Sequence, residues 1–430
     1  MLKKIFGFDA SKSSIKTEIL AGITSFLTMS YILAVNPAMF GILDGMTEGA
    51  VFTATALVTI LSTLIAAFVA KMPLGIAPAM GSNAFFVFTV CIGLGHTWQF
   101  ALTAVFIEGL IMLLLTLTNL REALIRVMPT AIKKSITIGI GLFIVFVGMQ
   151  NAGIVIKDES TLVRLGDITG GSGLLALTGL AVTSLLMIRN VKGAMLIGIF
   201  ITTLIGIPAG LTHFEGIMSM PQSVSPIFCQ FDFDSILTAD MLVTVVSFLF
   251  IDVFSLTGSA YGICMKGGFA DKDGNVPGIK KIFIADSAGT ALSGMFGISA
   301  VCALIENSSG LAQGGKSGLT AFVIAICFAA ALFFSPLFLA IPAAATAPIL
   351  IIVGLMMFSA VKEIPFDDLS EAIPAFITIT VMPLAYSIAD GILIGTISYV
   401  VINLFCGNYR KINPGTYVLT GIFVIKYIFI

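Results

Sequence analysis

Apolar residues fill this chain in long runs, and polar residues fall in short clusters between the runs. A helix that crosses a bilayer needs about 20 predominantly apolar residues. The runs predict an all-α, polytopic membrane protein with about fourteen spans. These are 19–36, 51–70, 77–94, 100–117, 132–152, 174–188, 194–211, 241–264, 282–296, 299–310, 319–337, 341–360, 373–388 and 391–406. A last apolar segment, 416–430, carries Lys426 and is either an interfacial or docked helix or a partial span.

Two of these runs are interrupted by residues that break helices. Segment 73–88 contains Pro73, Pro78, Gly75 and Gly81, and segment 297–315 surrounds Glu306 with glycines and hydroxyls. At membrane depth, irregular backbone is tolerated only where it is buried in protein or lines a watery cavity. Matched interruptions in corresponding spans of two halves point to a transporter binding site near the midplane.

The basic residues predict the orientation. Basic residues precede the first span and follow every even-numbered span, so these loops all fall on one side of the membrane. Lys157 and Arg164 are the main exceptions. The positive-inside rule places that side, with both termini, in the cytoplasm of a cell-membrane protein. The expected organisation is a cytoplasmic segment 1–18, a seven-span repeat 19–211, an extracytoplasmic connector 212–240, an inverted seven-span repeat 241–406 and a C-terminal segment 407–430.

Composition removes several classes of function. Charged residues make up 10% of the 430 residues, against about 25% in soluble chains. The six cysteines are scattered and the two histidines lie near predicted loops, so we expect no metal site or disulfide framework. The net charge of -1 gives no indication of nucleic acid binding. A phosphate loop and a paired nucleophile and base are lacking, so we expect neither an ATP-driven pump nor an enzyme, and no cofactor beyond a coupling ion.

Glu306 is the leading candidate for the site. A carboxylate at membrane depth is costly and by default functional, and the alternative is a buried glutamate that pairs with a neighbouring helix. We expect no intramembrane lysine or arginine opposite it. Such a carboxylate tends to be protonated or to bind a cation. We therefore predict that Glu306 binds substrate, beside Ala303, and carries the coupling proton, with sodium as the alternative ion.

The third span supplies further candidates. Ser82, Asn83, Phe85 and Phe86 are expected to lie on a short extended segment that exposes main-chain groups to a ligand. Asn83 offers a donor and an acceptor, and the two rings offer stacking surfaces. The alternative is a seam of small residues between helices.

Three more acids lie in apolar runs. Asp252 and Ser255 are three residues apart and share a helix face. Asp252 either faces the cavity as a second proton-coupling group or pairs in the core, and Ser255 bonds either substrate or its own helix. Glu108 is expected to be a structural partner of a buried polar group, and Asp286 to cap a helix at its cytoplasmic end.

With these residues located, the chain resembles the nucleobase–cation symporter (nucleobase/ascorbate transporter) family. The similarity is to its adenine/guanine/hypoxanthine (AzgA-like) branch and extends over nearly the whole chain. It rests on the segments EILAGITSFLTMSYILAVNPAMF at 18–40, APAMGSNAFF at 77–86, GIGLFIVFVGMQNAGIV at 139–155, IADSAGTALSGMFG at 284–297, IENSSGLAQGGKSGLTA at 305–321, TAPILIIVGLMM at 346–357 and EAIPAFITITVMPLAYSIADGILIG at 371–395.

The resemblance implies fourteen spans in two inverted repeats. A core domain, about 19–117 and 241–337, would hold substrate against a gate domain, about 132–211 and 341–406. Short strands in the third and tenth spans would meet at the site. The resemblance also implies proton-coupled purine transport by alternating access, and relatives are often dimers through the gate domain.

The eighth span departs from the family pattern F-V-D-L-F-D-T-x-G-T. The first Asp is kept as Asp252, but Ser255 stands where the second is expected, and the Thr-rich segment before Glu306 is reduced at 299–304. Losing a bonding group relaxes discrimination between polar substrates. The substrate is therefore a purine or another planar heterocycle, with a small organic anion or a transport-inactive sensor as the alternatives.

Overall fold

The computed structural model describes residues 2–118, 120, 128–212, 216–269 and 276–429, without the side chains of 254, 255, 257, 258, 261, 262, 265, 266, 422 and 425–429. The first half of the chain forms helices and three of the four strands. The elements are α1 (Leu2–Phe6), α2 (Ile15–Met29), α3 (Ile32–Phe40), α4 (Glu48–Ile65), β1 (Ile76–Pro78), α5 (Met80–Ala84), α6 (Trp98–Leu117), α7 (Thr130–Asn151), β2 (Val155–Asp158), β3 (Leu162–Leu165), α8 (Gly171–Ile188) and α9 (Ala194–Gly206). π-Helical turns extend α4 over Ala66–Ala70 and α5 over Phe85–Gly93.

The second half contains longer helices and one strand. They are α10 (Ala239–Lys266), α11 (Ile279–Phe296), β4 (Val301–Ala303), α12 (Asn307–Ala312), α13 (Gly318–Ala331), α14 (Ser335–Leu339), α15 (Ala343–Phe358), α16 (Leu369–Leu384), α17 (Ile388–Phe405) and α18 (Pro414–Phe429). In the described part of the chain, eight helices are long and apolar enough to cross a membrane. The fold is therefore a helical, polytopic membrane fold.

Local sequence explains where several helices begin. Ser14 accepts a hydrogen bond from the Thr17 amide, and Thr97 accepts one from the Phe100 amide. Asp368 and Ser387 cap α16 and α17 in the same way. Each side-chain oxygen satisfies one of the amides that a helix leaves unpaired at its start.

Packing sorts the helices into two groups. In the first, α2–α6 and α10–α13 contact one another around the strand pair β1–β4. In the second, α7 packs against α15 and α16, with α8, α9 and α17 outside them. The C-terminal α18 packs against α17, as expected for a docked helix.

Several helix ends differ from the predicted span ends. Helix α2 begins at Ile15, before the predicted start of the first span at 19, and a turn separates it from α3. Helix α16 ends at Leu384 and Ser387 caps α17, whereas the predicted thirteenth span runs to 388. The hairpin β2–β3 was missed; it lies in the loop between the predicted fifth and sixth spans, and its second strand is exposed.

The extended segment of the third span was also misplaced. Residues 82–84 are helical and Phe85 and Phe86 begin the π-helical turn. The strand lies earlier, at Ile76–Pro78, because there the backbone pairs with β4. Asp286 caps no helix: it lies inside α11 and is fully buried.

Candidate functional site

Two short strands from opposite halves of the chain meet in the middle of the first helix group. β1 and β4 are antiparallel, with Ile76 opposite Ala303 and Pro78 opposite Val301. The pairing continues past the strands, since the Ala79 amide donates to the Ala300 carbonyl at 3.0 Å. All six strand residues are buried, so the pairing satisfies backbone groups that helices would otherwise have satisfied.

Side chains from neighbouring helices form further hydrogen bonds to the backbone of this strand pair. Asn307 accepts from the Gly75 amide at 2.7 Å and donates to the Gly75 carbonyl at 2.8 Å. The Thr63 hydroxyl donates to the Ile76 carbonyl and accepts from the Ile76 amide. The two broken spans are therefore fixed to each other and to α4.

Glu306 stands directly before α12, where β4 has ended. Its carboxylate oxygen Oε1 accepts a hydrogen bond from the Tyr31 hydroxyl at 2.8 Å. The Thr28 hydroxyl, one turn earlier on α2, donates to the Glu306 carbonyl at 3.3 Å. Glu306 is 6% exposed, so the acid is almost enclosed but still reaches a cavity.

That cavity, of about 500 Å³, lies between the two helix groups. On one side it is lined by Tyr31, Ala79–Gly81 and residues 302–306, and on the other by α7 and by the end of α15. Besides Glu306, its charged lining residues are Lys133, Lys134 and Glu363. Concave, mostly apolar sites of about 300–1,000 Å³ with a few polar groups are typical of small-molecule binding sites.

Farther along α7, aromatic rings join the two helix groups. Phe88 lies 6.4 Å from Phe143 and 6.2 Å from Tyr386, and Phe143 and Tyr386 are 5.2 Å apart between ring centroids. Phe143 lies six residues beyond the cavity-lining Thr137 on α7, roughly 9 Å along the helix. The aromatic cluster of Phe88, Phe143 and Tyr386 therefore lies on the side of the cavity opposite the lysines.

The remaining intramembrane acids are buried outside the cavity wall. Asp252, Asp286 and Glu108 are fully buried, and Glu108 lies on α6 where that helix packs against α11. Asp252 lies on α10 and Asp286 on α11, and both helices pack against β4.

The predicted third-span residues pack into the protein interior. Asn83 donates to Asn36 at 2.6 Å and accepts from Ser299, so its amide is engaged at both ends. Phe85 packs edge-to-face on Phe248, and Phe86 contacts Phe40.

Ser82, Asn83, Phe85 and Phe86 are all fully buried and do not line the cavity described above. Glu306 and Ala303 do line it. The side chain of Ser255 lies outside the described residues. Ser259, one turn farther along α10, lines the cavity.

Sequence reasoning missed Tyr31 and Glu18. Tyr31 is one of seven tyrosines and carries no charge, so nothing local marks it. Glu18 is fully buried and accepts from the Lys316 and Ser317 amides and from the Thr320 hydroxyl. Its position next to a long apolar run was the signal that should have indicated burial.

Comparison with solved structures supports the fold. The transmembrane domain of a cyanobacterium bicarbonate transporter, BicA, superposes with a TM-score of 0.64, covering 87% of this chain and 96% of that one at 17% identity. At this identity the likeness concerns the fold alone.

Relatives of known sequence match over nearly their whole length. A putative permease of Methanocaldococcus jannaschii, MJ0326, is 44% identical over 430 residues, covering 100% of this chain and 98% of the relative. The guanine/hypoxanthine permease PbuO of Bacillus subtilis is 40% identical, covering 98% and 99%. The adenine permease AdeP of Escherichia coli is 37% identical, covering 100% and 96%. The Permease family matches residues 16–407. This protein is therefore a multi-pass membrane protein that belongs to the Permease family, whose named members are transporters and not enzymes.

Proposed function

We propose that this protein is a secondary active transporter that takes up a purine nucleobase. The observation that carries the proposal is the cavity between the two helix groups, in which Glu306 is the buried acid. The names of the relatives, which include adenine and guanine/hypoxanthine permeases, support a purine. Glu306 accepts an N–H of the base, and Ala303 lies in the wall beside it. Ser255 remains a predicted weaker partner.

Alternating access is the mechanism that this arrangement supports. Spans of the first group, about 19–117 and 241–337, act as the core domain, and about 132–211 and 341–406 act as the gate domain. These are fourteen spans in two inverted repeats, with both termini cytoplasmic and a homodimer formed through the gate. In this cycle the cavity opens toward Lys133 and Lys134, the side on which basic residues collect, and the aromatic cluster forms the gate on the other side.

Uptake is driven by protons. Glu306 binds both base and proton, and Asp252, a fully buried acid on α10, is the second proton-coupling group, since α10 packs against β4 directly before Glu306. An acid that bonds substrate and also titrates links the two fluxes.

Thermal melting of the purified protein with a ligand panel tests the substrate. A ligand that binds only the folded state raises the melting temperature, by mass action. We expect one purine among adenine, guanine, hypoxanthine and xanthine to stabilise the wild type, and Glu306→Gln to abolish that shift. The matched control is Glu371→Gln, since Glu371 also accepts from a tyrosine, at 3.1 Å, but lies outside the Glu306 cavity.

Cooperative melting without a shift from any nucleobase would contradict purine transport. Uracil and small organic anions belong in the same panel, because a shift with one of them would identify a different substrate on the same fold.

Uptake into proteoliposomes tests the coupling ion. We expect an inward proton gradient to drive accumulation of the purine, and a protonophore to stop it. Accumulation that survives the protonophore and requires a sodium gradient would overturn proton coupling while leaving the substrate assignment intact.

A further inference from the structure

Tyr31 lies where the first membrane span is interrupted. The residue falls between α2 and α3, is 1% exposed, and lines the cavity beside Glu306. Its hydroxyl donates to Glu306 Oε1 at 2.8 Å, across 275 positions of sequence. Thr28, in the last turn of α2, has its hydroxyl 3.3 Å from the Glu306 carbonyl and 2.9 Å from the Ser25 carbonyl of its own helix. The first span therefore binds the Glu306 carboxylate through Tyr31 and contacts its backbone through Thr28.

The hydrogen bond from the Tyr31 hydroxyl fixes the orientation in which the Glu306 carboxylate faces the cavity. Among the described side chains, Tyr31 is the one that donates to this carboxylate. Hydrogen bonds to ionised acceptors are shorter and stronger than neutral ones. With Oε1 engaged on one side, the ligand meets the carboxylate in a single orientation.

The tyrosine hydroxyl has one proton and two acceptor lone pairs. Since that proton is donated to Glu306, the Tyr31 oxygen remains an acceptor at the cavity wall. When the coupling proton has left Glu306, Glu306 and Tyr31 together form a wall that accepts hydrogen bonds. Such a wall favours the edge of a heterocycle that carries N–H donors.

We propose that Tyr31 is a positioning residue that fixes Glu306 for a ligand edge rich in N–H donors, and thereby sets which heterocycles bind. The proposal rests on the function proposed above. It assigns a role to the interrupted first span, beyond that of Glu306 itself.

The first experiment compares Tyr31→Phe with Tyr399→Phe in the purified full-length protein. Tyr399 is a matched control because its hydroxyl also donates to a glutamate, Glu371, and neither residue lines the Glu306 cavity; both line a neighbouring cavity of about 610 Å³. Affinities for adenine, guanine, hypoxanthine, xanthine and uracil are measured in both variants and in Glu306→Gln. We expect the losses caused by Tyr31→Phe to follow those caused by Glu306→Gln across the panel. The ligand that depends most on Glu306 should lose about tenfold, the size typical of one hydrogen bond to a charged group.

Tyr399→Phe should change every affinity by less than about twofold, the small effect expected of a bond outside the binding cavity. If Tyr31→Phe weakens all ligands by one common factor, including those that Glu306→Gln leaves unchanged, its role is structural and the proposal is wrong. Unchanged affinities would also overturn it.

A second measurement needs no variant. If one purine binds the wild type, methylating its ring N–H donor should lower the affinity at least about tenfold, because a buried acceptor then loses its partner. Equal affinity for the methylated and unmethylated base would overturn the donor-edge selectivity.

A third measurement separates this proposal from the proposed function. In ligand-free protein, Tyr31→Phe, Glu306→Gln and the double variant form a cycle of melting temperatures. Residues in contact give non-additive effects, so the double variant should melt no lower than the less stable single variant. If no panel ligand binds, purine transport fails, yet this cycle still decides whether Tyr31 and Glu306 are coupled. Additive losses would overturn the coupling.

Discussion

Asn307 joins the two broken spans through a single side chain. It is fully buried, bonds both backbone groups of Gly75, and also donates to the Leu304 carbonyl at 2.8 Å. This one amide provides hydrogen-bond partners for the Gly75 N–H, the Gly75 carbonyl and the Leu304 carbonyl, three polar groups that have no access to water. Glu306 directly precedes Asn307, so its position depends on these bonds.

Replacing Asn307 by Ala should therefore destabilise the protein. Each buried backbone group left without a partner costs about 1–3 kcal/mol, so the expected loss is about 3 kcal/mol. Thermal melting in detergent measures it. Asn408→Ala is the matched control, since Asn408 is half-buried and makes one longer side-chain bond at 3.3 Å. Equal melting temperatures for the two variants would show that the Gly75 bonds contribute nothing.

At the scale of helices, glycines set how closely neighbours approach. α6 and α11 pack together along much of their length, and Gly109 lies at that contact. A Cβ atom at Gly109 would lie 2.8 Å from Ala291 Cα and 2.9 Å from the Thr290 carbonyl carbon. Those atoms belong to backbone and have no flexible end that can move aside. Small residues at helix contacts are the usual means of close packing in membranes.

Gly109→Ala should accordingly force α6 and α11 apart. Overpacking of this kind costs about 1–3 kcal/mol, and we expect a lower melting temperature. Gly421→Ala provides the control, because among the described atoms outside its own helix backbone and its chain neighbours none lies within 4 Å of a Cβ at Gly421 on α18. Alanine also has the higher helix propensity, so Gly421→Ala should be neutral or stabilising. A rise in melting temperature for both variants would contradict close packing at Gly109.

At the scale of the whole molecule, the two helix groups enclose the cavity and meet at the aromatic cluster. The cluster joins Phe88 of the broken third span to α7 and to the turn between α16 and α17. In the same region the Thr89 hydroxyl accepts from the Ile388 amide at 3.4 Å. Contacts made in one state and absent from another determine the populations of the two states.

Phe88→Ala should shift the protein toward a state open on the side of the cluster. Aromatic pairs contribute about 0.5–1.5 kcal/mol each beyond their buried area, so losing two of them corresponds to roughly a tenfold change in population. Cys302, which lines the cavity, reports the change through its rate of labelling by an impermeant thiol reagent added from the extracytoplasmic side. The measurement uses protein in which Cys91 and Cys229 are replaced by Ser.

Phe231→Ala is the matched control for this prediction. Phe231 pairs with Phe106 at 4.8 Å, but that contact joins the connector to α6 within one helix group. The control should label at the wild-type rate. Equal rates for the two variants would mean that the aromatic cluster does not close the cavity.

Much of the architecture follows from local sequence. The hydrophobic runs, the two breaks and the acid at 306 can be found in windows of about 20 residues. Exposing a polar group to lipid is unfavourable at any position within a span, so each span shows this requirement in its own sequence. Membership of the Permease family agrees with the resemblance carried by those same segments. Lys133 and Lys134, which line the cavity, are among the basic residues that the sequence predicts on one side of the membrane.

The tertiary structure decided which polar side chains meet. A buried polar residue can be satisfied by a ligand or by another side chain, and Asn83 and Glu306 carry the same local signal. Asn83 is engaged by Asn36 and Ser299, whereas Glu306 pairs with Tyr31 and still lines the cavity. The strand β1 formed five residues before Asn83 because β4 was there to pair with it. Apart from the Asn83–Asn36 bond, which joins residues 47 positions apart, these outcomes depend on contacts between residues more than 200 positions apart, and only the packed chain brings such residues together.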